Sequence, residues 1–467
     1  MKRVLLLNPP ADPPVSRDYY CGHFTKGRYD WPPLDLLVMS GVLSGPFEVH
    51  VLDAVVEKLN PDEAHARIDA LRPDAVVALT AAVSWTSDMA FLARLTEESP
   101  TPLLISGDYA RAEPEAVLAQ QPFIEAVILD FTENDASAFL AGERGPGLRN
   151  LYTRAHSGAP EINGSRTFRY PTPRHELFPL KRYRMPQSLH HPAVPMLTDF
   201  GCPFACDFCF MERVKHRLRD MENGAEELAA LRTLGIRELF LSDQSFGSHA
   251  AHAREVCQTL RAVGRGRFTW AASMRVDAAR PDLLQLMREA GCHTLMLGVE
   301  TATQEVLDDH RKGTTTDQIR CAFAVARSMG FRTLAHFMIG LTGEDEESLE
   351  RLVEFAIALD PDIASFNIAA PAWNTSFGDR VRGEGWRRAE GVEIAGSAAA
   401  PVWEQPGLPV DTIVRLRDEA VRRFYMRPGY ILKQLARVRS TYQLRTLFRE
   451  GIGMLGNRRR SGATSRG

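Results

Sequence analysis

The sequence predicts an α/β protein in which two parallel-sheet units are followed by a small helical C-terminal region. Three observations predict it. Over residues 1–145 short apolar runs alternate with amphipathic stretches; a second alternation, six times repeated, runs over 194–400; and from 401 the pattern turns helical and polar.

In the first unit Val4–Leu7, Glu48–Leu52, Ala75–Thr80, Leu103–Ser106 and Ala126–Leu129 read as strands. Pro33–Leu43, Pro61–Leu71 and Asp88–Glu98 carry the helical period between them. Such a doubly wound, Rossmann-like sheet places ligands at the carboxyl ends of its strands. Residues 146–193 lose the rhythm and are rich in Gly, Pro, Arg and His, which reads as a wrapping linker docked by apolar pairs such as Leu177-Phe178. The second unit has strand-like runs at Val194–Thr198, Glu238–Ser242, Phe268–Ser273, Thr294–Gly298, Arg332–Ile339 and Asp362–Ala369. Helical periods such as Ala225–Leu234, Pro281–Ala290 and Leu349–Leu359 separate them. Six consecutive βα units suit a partial (β/α)6 barrel with its site at the strands' carboxyl ends. Residues 401–467 read as helices ending in a disordered basic tail with Arg458, Arg459 and Arg460.

At 467 residues there is length for several domains, and a formal charge of −3 gives no overall case for nucleic acid or an anionic membrane as partner. The opening apolar run stops at Asn8-Pro9-Pro10, too short for a signal peptide, and no stretch reaches the ~18 apolar residues a span needs. A cytoplasmic location is the expectation. Seven cysteines, three of them within eight positions, suggest metal or redox chemistry rather than a disulfide framework.

Those three are Cys202, Cys206 and Cys209, in the segment Gly201-Cys-Pro-Phe-Ala-Cys-Asp-Phe-Cys-Phe210 that follows the first strand of the six-fold repeat. Thiolates are the usual ligands of iron–sulfur clusters, and three of them leave one iron of a four-iron cubane open. A structural zinc would want a fourth ligand, and His216, beyond a basic stretch, is the only close candidate. Cys257, Cys292 and Cys321 fall in helical contexts and read as core residues.

The spacing C-x-x-x-C-x-x-C, with the aromatic Phe208 before the third cysteine, resembles the signature of the radical S-adenosylmethionine (SAM) superfamily. The resemblance implies a [4Fe-4S] cluster on Cys202, Cys206 and Cys209 whose open iron chelates SAM and cleaves it to a 5′-deoxyadenosyl radical. It also implies cofactor contacts from Phe208, from Asp243 after strand two, from Ser273 at strand three and from Phe337 in Phe337-Met-Ile-Gly-Leu-Thr-Gly-Glu344. Glu300 would bind the ribose hydroxyls and Arg311 would reach the SAM carboxylate. An electron donor such as flavodoxin or ferredoxin, with its reductase, follows as a partner; nucleic acid and membrane do not.

In the first unit Val4-Leu-Leu-Leu-Asn-Pro-Pro10, Pro32-Pro-Leu-Asp-Leu36 and Val51-Leu-Asp-Ala54 resemble the cobalamin (B12)-binding-domain branch, and the resemblance spans residues 1 to about 400. Where that branch usually shows Gly-Gly-Pro-His this chain has Ser106-Gly-Asp-Tyr109, and where it shows Gly-Glu-Gly-Glu this chain has Asp130-Phe-Thr-Glu133. Asp-x-His-x-x-Gly is absent from 1–145. Small residues at such turns let a planar ligand approach, so two readings stand: a degenerate domain acting as scaffold, or one loaded with cobalamin.

In size and layout the chain resembles the radical SAM diol dehydratase that deoxygenates an aminoglycoside sugar in apramycin biosynthesis. That implies hydrogen abstraction from a natural-product sugar followed by dehydration, a lyase of antibiotic biosynthesis. Asp243, Gln244, His249, His252, Asp277, His336 and Asn367 are the polar loop residues available to such a substrate. The alternative is a cobalamin-dependent radical SAM C-methyltransferase of secondary metabolism.

Overall fold

A computed structural model of the chain describes residues 1–24, 29–98, 100–155, 165–185, 188–373, 375–384, 386–388, 403–405, 407–436, 438 and 445. The basic tail expected beyond 445 lies outside the described residues.

The N-terminal sheet runs in the order Glu48–Asp53, Arg3–Asn8, Ala75–Thr80, Leu103–Gly107, Ala126–Ile128 and Leu151–Thr153. The first five strands are parallel, and the last is an antiparallel edge. That edge strand belongs to the expected linker; three residues in Gly-rich surroundings give no period to read. The order reverses beside Arg3–Asn8, which opens a crevice at the carboxyl ends. Helix Leu34–Leu43 is buried along its whole length. The linker crosses it so closely that a Cβ on Gly41 would lie 2.2 Å from Pro171 O. This double cover accounts for a helix apolar on all sides.

The described part of the linker is bound at several further points. Thr167–Phe168 pairs with Arg217–Arg219, which in turn pairs with Asp199–Phe200 of the cysteine loop. His175 Nε2 lies 3.0 Å from Glu227, which also receives Arg219 at 2.5 Å, all three buried. Tyr183 Oη donates to Asp53 at 2.9 Å.

The second sheet has six parallel strands in chain order: Ala193–Met196, Glu238–Leu241, Thr269–Arg275, Cys292–Glu300, Arg332–Ile339 and Ile363–Ile368. Its outer face meets the helices through a large apolar core that includes Leu239, Trp270, Leu297, Phe337 and Phe366. Ala193, Phe240, Ala271, Met296 and Leu334 plug the inner face together with Met185 and Trp31. Beyond that plug the inner face turns polar toward the carboxyl ends. Helix Val410–Tyr425 buries Ile413, Leu416, Ala420 and Phe424 against this unit. Among the described residues no helix is long and apolar enough to cross a membrane.

Candidate active site

The cysteine loop leaves the first strand of the second sheet and is pinned at both ends. Asp243 accepts from Thr198 N at 2.6 Å and Asp199 N at 2.9 Å, and its other oxygen takes the Thr198 hydroxyl. Gly201 turns at φ 78°, where a Cβ would stand 2.5 Å from Lys215 O. Cys209 N bonds Cys206 O at 3.1 Å, and Cys209 Sγ accepts from Met211 N at 3.4 Å. Arg217, on the returning strand, buries its guanidinium against Asp130, Glu133 (2.8 Å) and Thr132 (3.2 Å), over the ring of Phe200 at 4.9 Å. The sequence Asp130-Phe-Thr-Glu133, read above as a departure at a ligand turn, is thus the clamp between the two units.

Burial raises the pKa of all three thiols, that of Cys209 to about 12, while Lys312 works against the rise at Cys206 and Cys209 and Arg275 at Cys202 and Cys206. Partly buried thiols flanked by fixed cations suit an iron–sulfur cluster, whose iron and the neighbouring Lys312 and Arg275 both favour the thiolate form. Among the described residues no three His, Cys, Asp or Glu side chains close on a single ion. A cubane, unlike a lone zinc, holds its thiolates apart. His216 lies 3.4 Å from Asp199 and takes no part in the cysteine set.

At the fourth strand a register shift between Gly298 and Glu300 puts Glu300 at φ 64°. Its carboxylate meets Lys312 Nζ at 2.6 Å, both side chains being buried. A Cβ on Gly298 would stand 2.6 Å from Glu300 Oε1 and 2.8 Å from Lys312 Nζ, so the pair occupies the volume that only glycine leaves. Arg275 donates to Lys312 O at 2.7 Å, forks onto Asp277 at 3.0 Å, covers Phe204 at 3.8 Å and reaches within 3.9 Å of Cys206 Sγ. Ser273 lies on the same inward row as Arg275.

Several expected contacts sit elsewhere. Arg311 points outward and pairs with Glu212 at 2.8 Å; its neighbour Lys312 is the inward cation. Phe337 is fully buried in the outer core, stacked on Phe366 at 5.1 Å, because strand alternation turns His336 and Met338 inward instead. Phe208 packs with Phe377, Trp386 and Leu341 beside the loop. Asp243 uses both oxygens on the chain itself. Of the polar loop residues, His249 caps helix Ala250–Gly264, His252 meets Thr198 O at 2.8 Å and Asp277 holds Arg275. Gln244, His336 and Asn367 are half-buried on the second unit. Sequence reasoning missed Lys312. The only signal was a second cation directly after Arg311.

Residues 197–356 match the Radical SAM superfamily model. Over 454 residues, 93% of this chain and 94% of the relative, the chain is 26% identical to an uncharacterized methyltransferase of Pyrococcus horikoshii. It is 27% identical over 384 residues to the anaerobic magnesium-protoporphyrin IX monomethyl ester cyclase of Rubrivivax gelatinosus, covering 75% of this chain and 67% of that one. In fold it is similar to the radical SAM methyltransferase TsrM of Kitasatospora setae with cobalamin and [4Fe-4S] cluster bound: TM-score 0.71, 17% identity, 98% of this chain and 100% of that one. Cysteine loop, buried cations and the family model agree on residues 197–356 as a radical SAM domain, with a [4Fe-4S] cluster and SAM as its cofactors, and the parallel-sheet domain in front shares its fold with the N-terminal part of TsrM.

Proposed function

We propose that the protein is a cobalamin-dependent radical SAM methyltransferase acting on a small organic substrate. The observation that carries this reading is similarity along the whole chain, N-terminal domain included, to an uncharacterized methyltransferase. Dehydration of a sugar, the main expectation from the sequence, has less support than its alternative, since the relatives named above are methyltransferases and a cyclase by name.

The N-terminal domain fits a bound corrin better than its sequence suggests. Asp108 does not project into the crevice: it accepts from Gly22 N (2.7 Å), Ala82 N (2.8 Å) and Tyr109 N (2.7 Å). Phe131 is folded beneath Tyr19 and Phe200. Tyr109 stands between Trp85 and Trp373, ring centroids 4.7 and 5.2 Å away, as an aromatic wall spanning the two units. Tyr19 Oη is buried without a hydrogen-bond partner among the described residues, a polar atom left for a bound group. Tyr109, Trp85, Trp373 and Tyr19 would hold the cofactor. Bound cobalamin would supply a methyl carrier; the chain's own residues bring the two units together, through Arg217.

The test is anaerobic incubation of the reconstituted enzyme with methyl-labelled SAM and a small-molecule extract, with and without hydroxocobalamin. Label is expected in a new product only when cobalamin is present. An unlabelled, dehydrated product formed without cobalamin overturns the reading.

A further inference from the structure

Helix Pro428–Ala436 is mounted with its polar side toward the protein. Tyr430 Oη and Gln434 Nε2 both donate to Asp362 O, at 2.8 and 2.9 Å, and Lys433 Nζ lies 2.7 Å from Asp360 Oδ2. The other side is aliphatic and open. Ile431, Leu432 and Leu435, with Met426 just before the helix, are 42–67% exposed. They are four of the six large hydrophobic residues exposed among the described residues, so the apolar surface is gathered rather than scattered. A surface helix of a soluble domain turns its apolar stripe inward, and a gathered exposed patch marks a contact.

Charge identifies the contact. The nearby basic side chains of the docked face are already paired, Arg423 with Glu350 and Lys433 with Asp360. The chain that continues from this helix is different: residues 437–467 contain eight arginines and one glutamate, a formal charge of +7, interleaved with Leu444, Leu447, Phe448, Ile452, Met454 and Leu455. Aliphatic side chains beside a strongly basic segment match an anionic lipid surface, where the first enter the headgroup boundary and the second meet the phosphates. A second copy of the chain would carry the same +7 segment, and like charges repel. A nucleic acid would engage the arginines and leave Ile431, Leu432 and Leu435 in water.

We propose that this C-terminal face seats the protein on an anionic membrane surface. This replaces the expectation of no membrane partner. The helix docks at Asp360 and Asp362, ahead of the last strand, Ile363–Ile368, whereas the cysteine loop lies at the carboxyl ends of the sheet. A protein seated this way turns its active site away from the lipid.

The experiment is flotation of the full-length, anaerobically purified protein with vesicles of phosphatidylcholine alone or mixed with phosphatidylglycerol, at about 0.1 M salt. The wild type is expected to float with the mixed vesicles only. L432E/L435E, with unchanged iron content and far-ultraviolet dichroism, is expected to bind them at least about tenfold more weakly. Should that double variant misfold, Leu432→Ser is read the same way. The inference is overturned by absence of flotation, by equal binding of a folded variant, by tighter binding to an oligonucleotide than to vesicles, or by a dimer in light scattering that the variant abolishes.

Discussion

Lys312 Nζ lies 2.6 Å from Glu300 Oε1, and the two side chains fill the space above Gly298 at the carboxyl end of the fourth strand of the second sheet. Burial works against the Lys312 charge, and the carboxylate outweighs it and raises the lysine pKa. The lysine's charge therefore leans on Glu300.

Removing one partner tests this dependence. Lys312→Met leaves Glu300 buried and uncompensated, a loss of about 3–5 kcal/mol. Urea unfolding of the apoprotein, followed by far-ultraviolet dichroism, should show it. Glu300→Gln keeps the shape, and if Glu300 holds the ribose hydroxyls, SAM affinity should fall roughly tenfold to a hundredfold by equilibrium dialysis. Unchanged affinity would remove Glu300 from the SAM site.

The cluster is checked separately. Changing Cys202, Cys206 and Cys209 together to Ala should abolish bound iron, the broad visible absorption and SAM cleavage, with the fold retained. Residual 5′-deoxyadenosine formation by that triple variant would place the cluster elsewhere.

Arg217 joins the units through Asp130 and Glu133. Arg217→Met should cost about 3–5 kcal/mol, since Asp130 is left buried without its counter-ion. Limited proteolysis should then cut between the units faster than in the wild type. A change of Arg423, paired at the half-exposed surface with Glu350, should cost about 1 kcal/mol or less.

Glu344 gives a pH signature. It accepts from Gly340 N at 2.8 Å, Leu341 N at 3.1 Å and Thr301 Oγ1 at 2.8 Å, yet burial raises its pKa from 4.5 to about 7. A folded pKa above the unfolded one means the folded state holds the extra proton. Its contribution is present below about pH 4.5 and is lost as the pH rises through about 7. Urea midpoints of the apoprotein at pH 5, 6, 7 and 8 should therefore fall less steeply for Glu344→Gln than for the wild type. Parallel slopes would show that Glu344 does not titrate there.

By itself the sequence determined the eleven parallel strands of the two large sheets, though not the antiparallel edge or the small sheet around the cysteine loop, and it determined that loop. Both rest on short-range chemistry: apolar runs of strand length, and three thiols spaced along one loop. The tertiary structure decided which side chains meet. Strands of a buried parallel sheet are apolar on both faces, so Arg332–Ile339 carries no clear parity in its sequence. Only the sheet's packing sends Phe337 to the outer core and His336 inward. The neighbours Arg311 and Lys312 differ in the same way: both are cations, and the left-handed turn at Arg311, φ 52°, turns one to solvent and the other to Glu300. Asp108 and Phe131 look obstructive as letters at ligand turns. Their burial was decided by partners more than 60 residues away in sequence, Gly22 for the one and Phe200 for the other, and local pattern does not encode separations of that length.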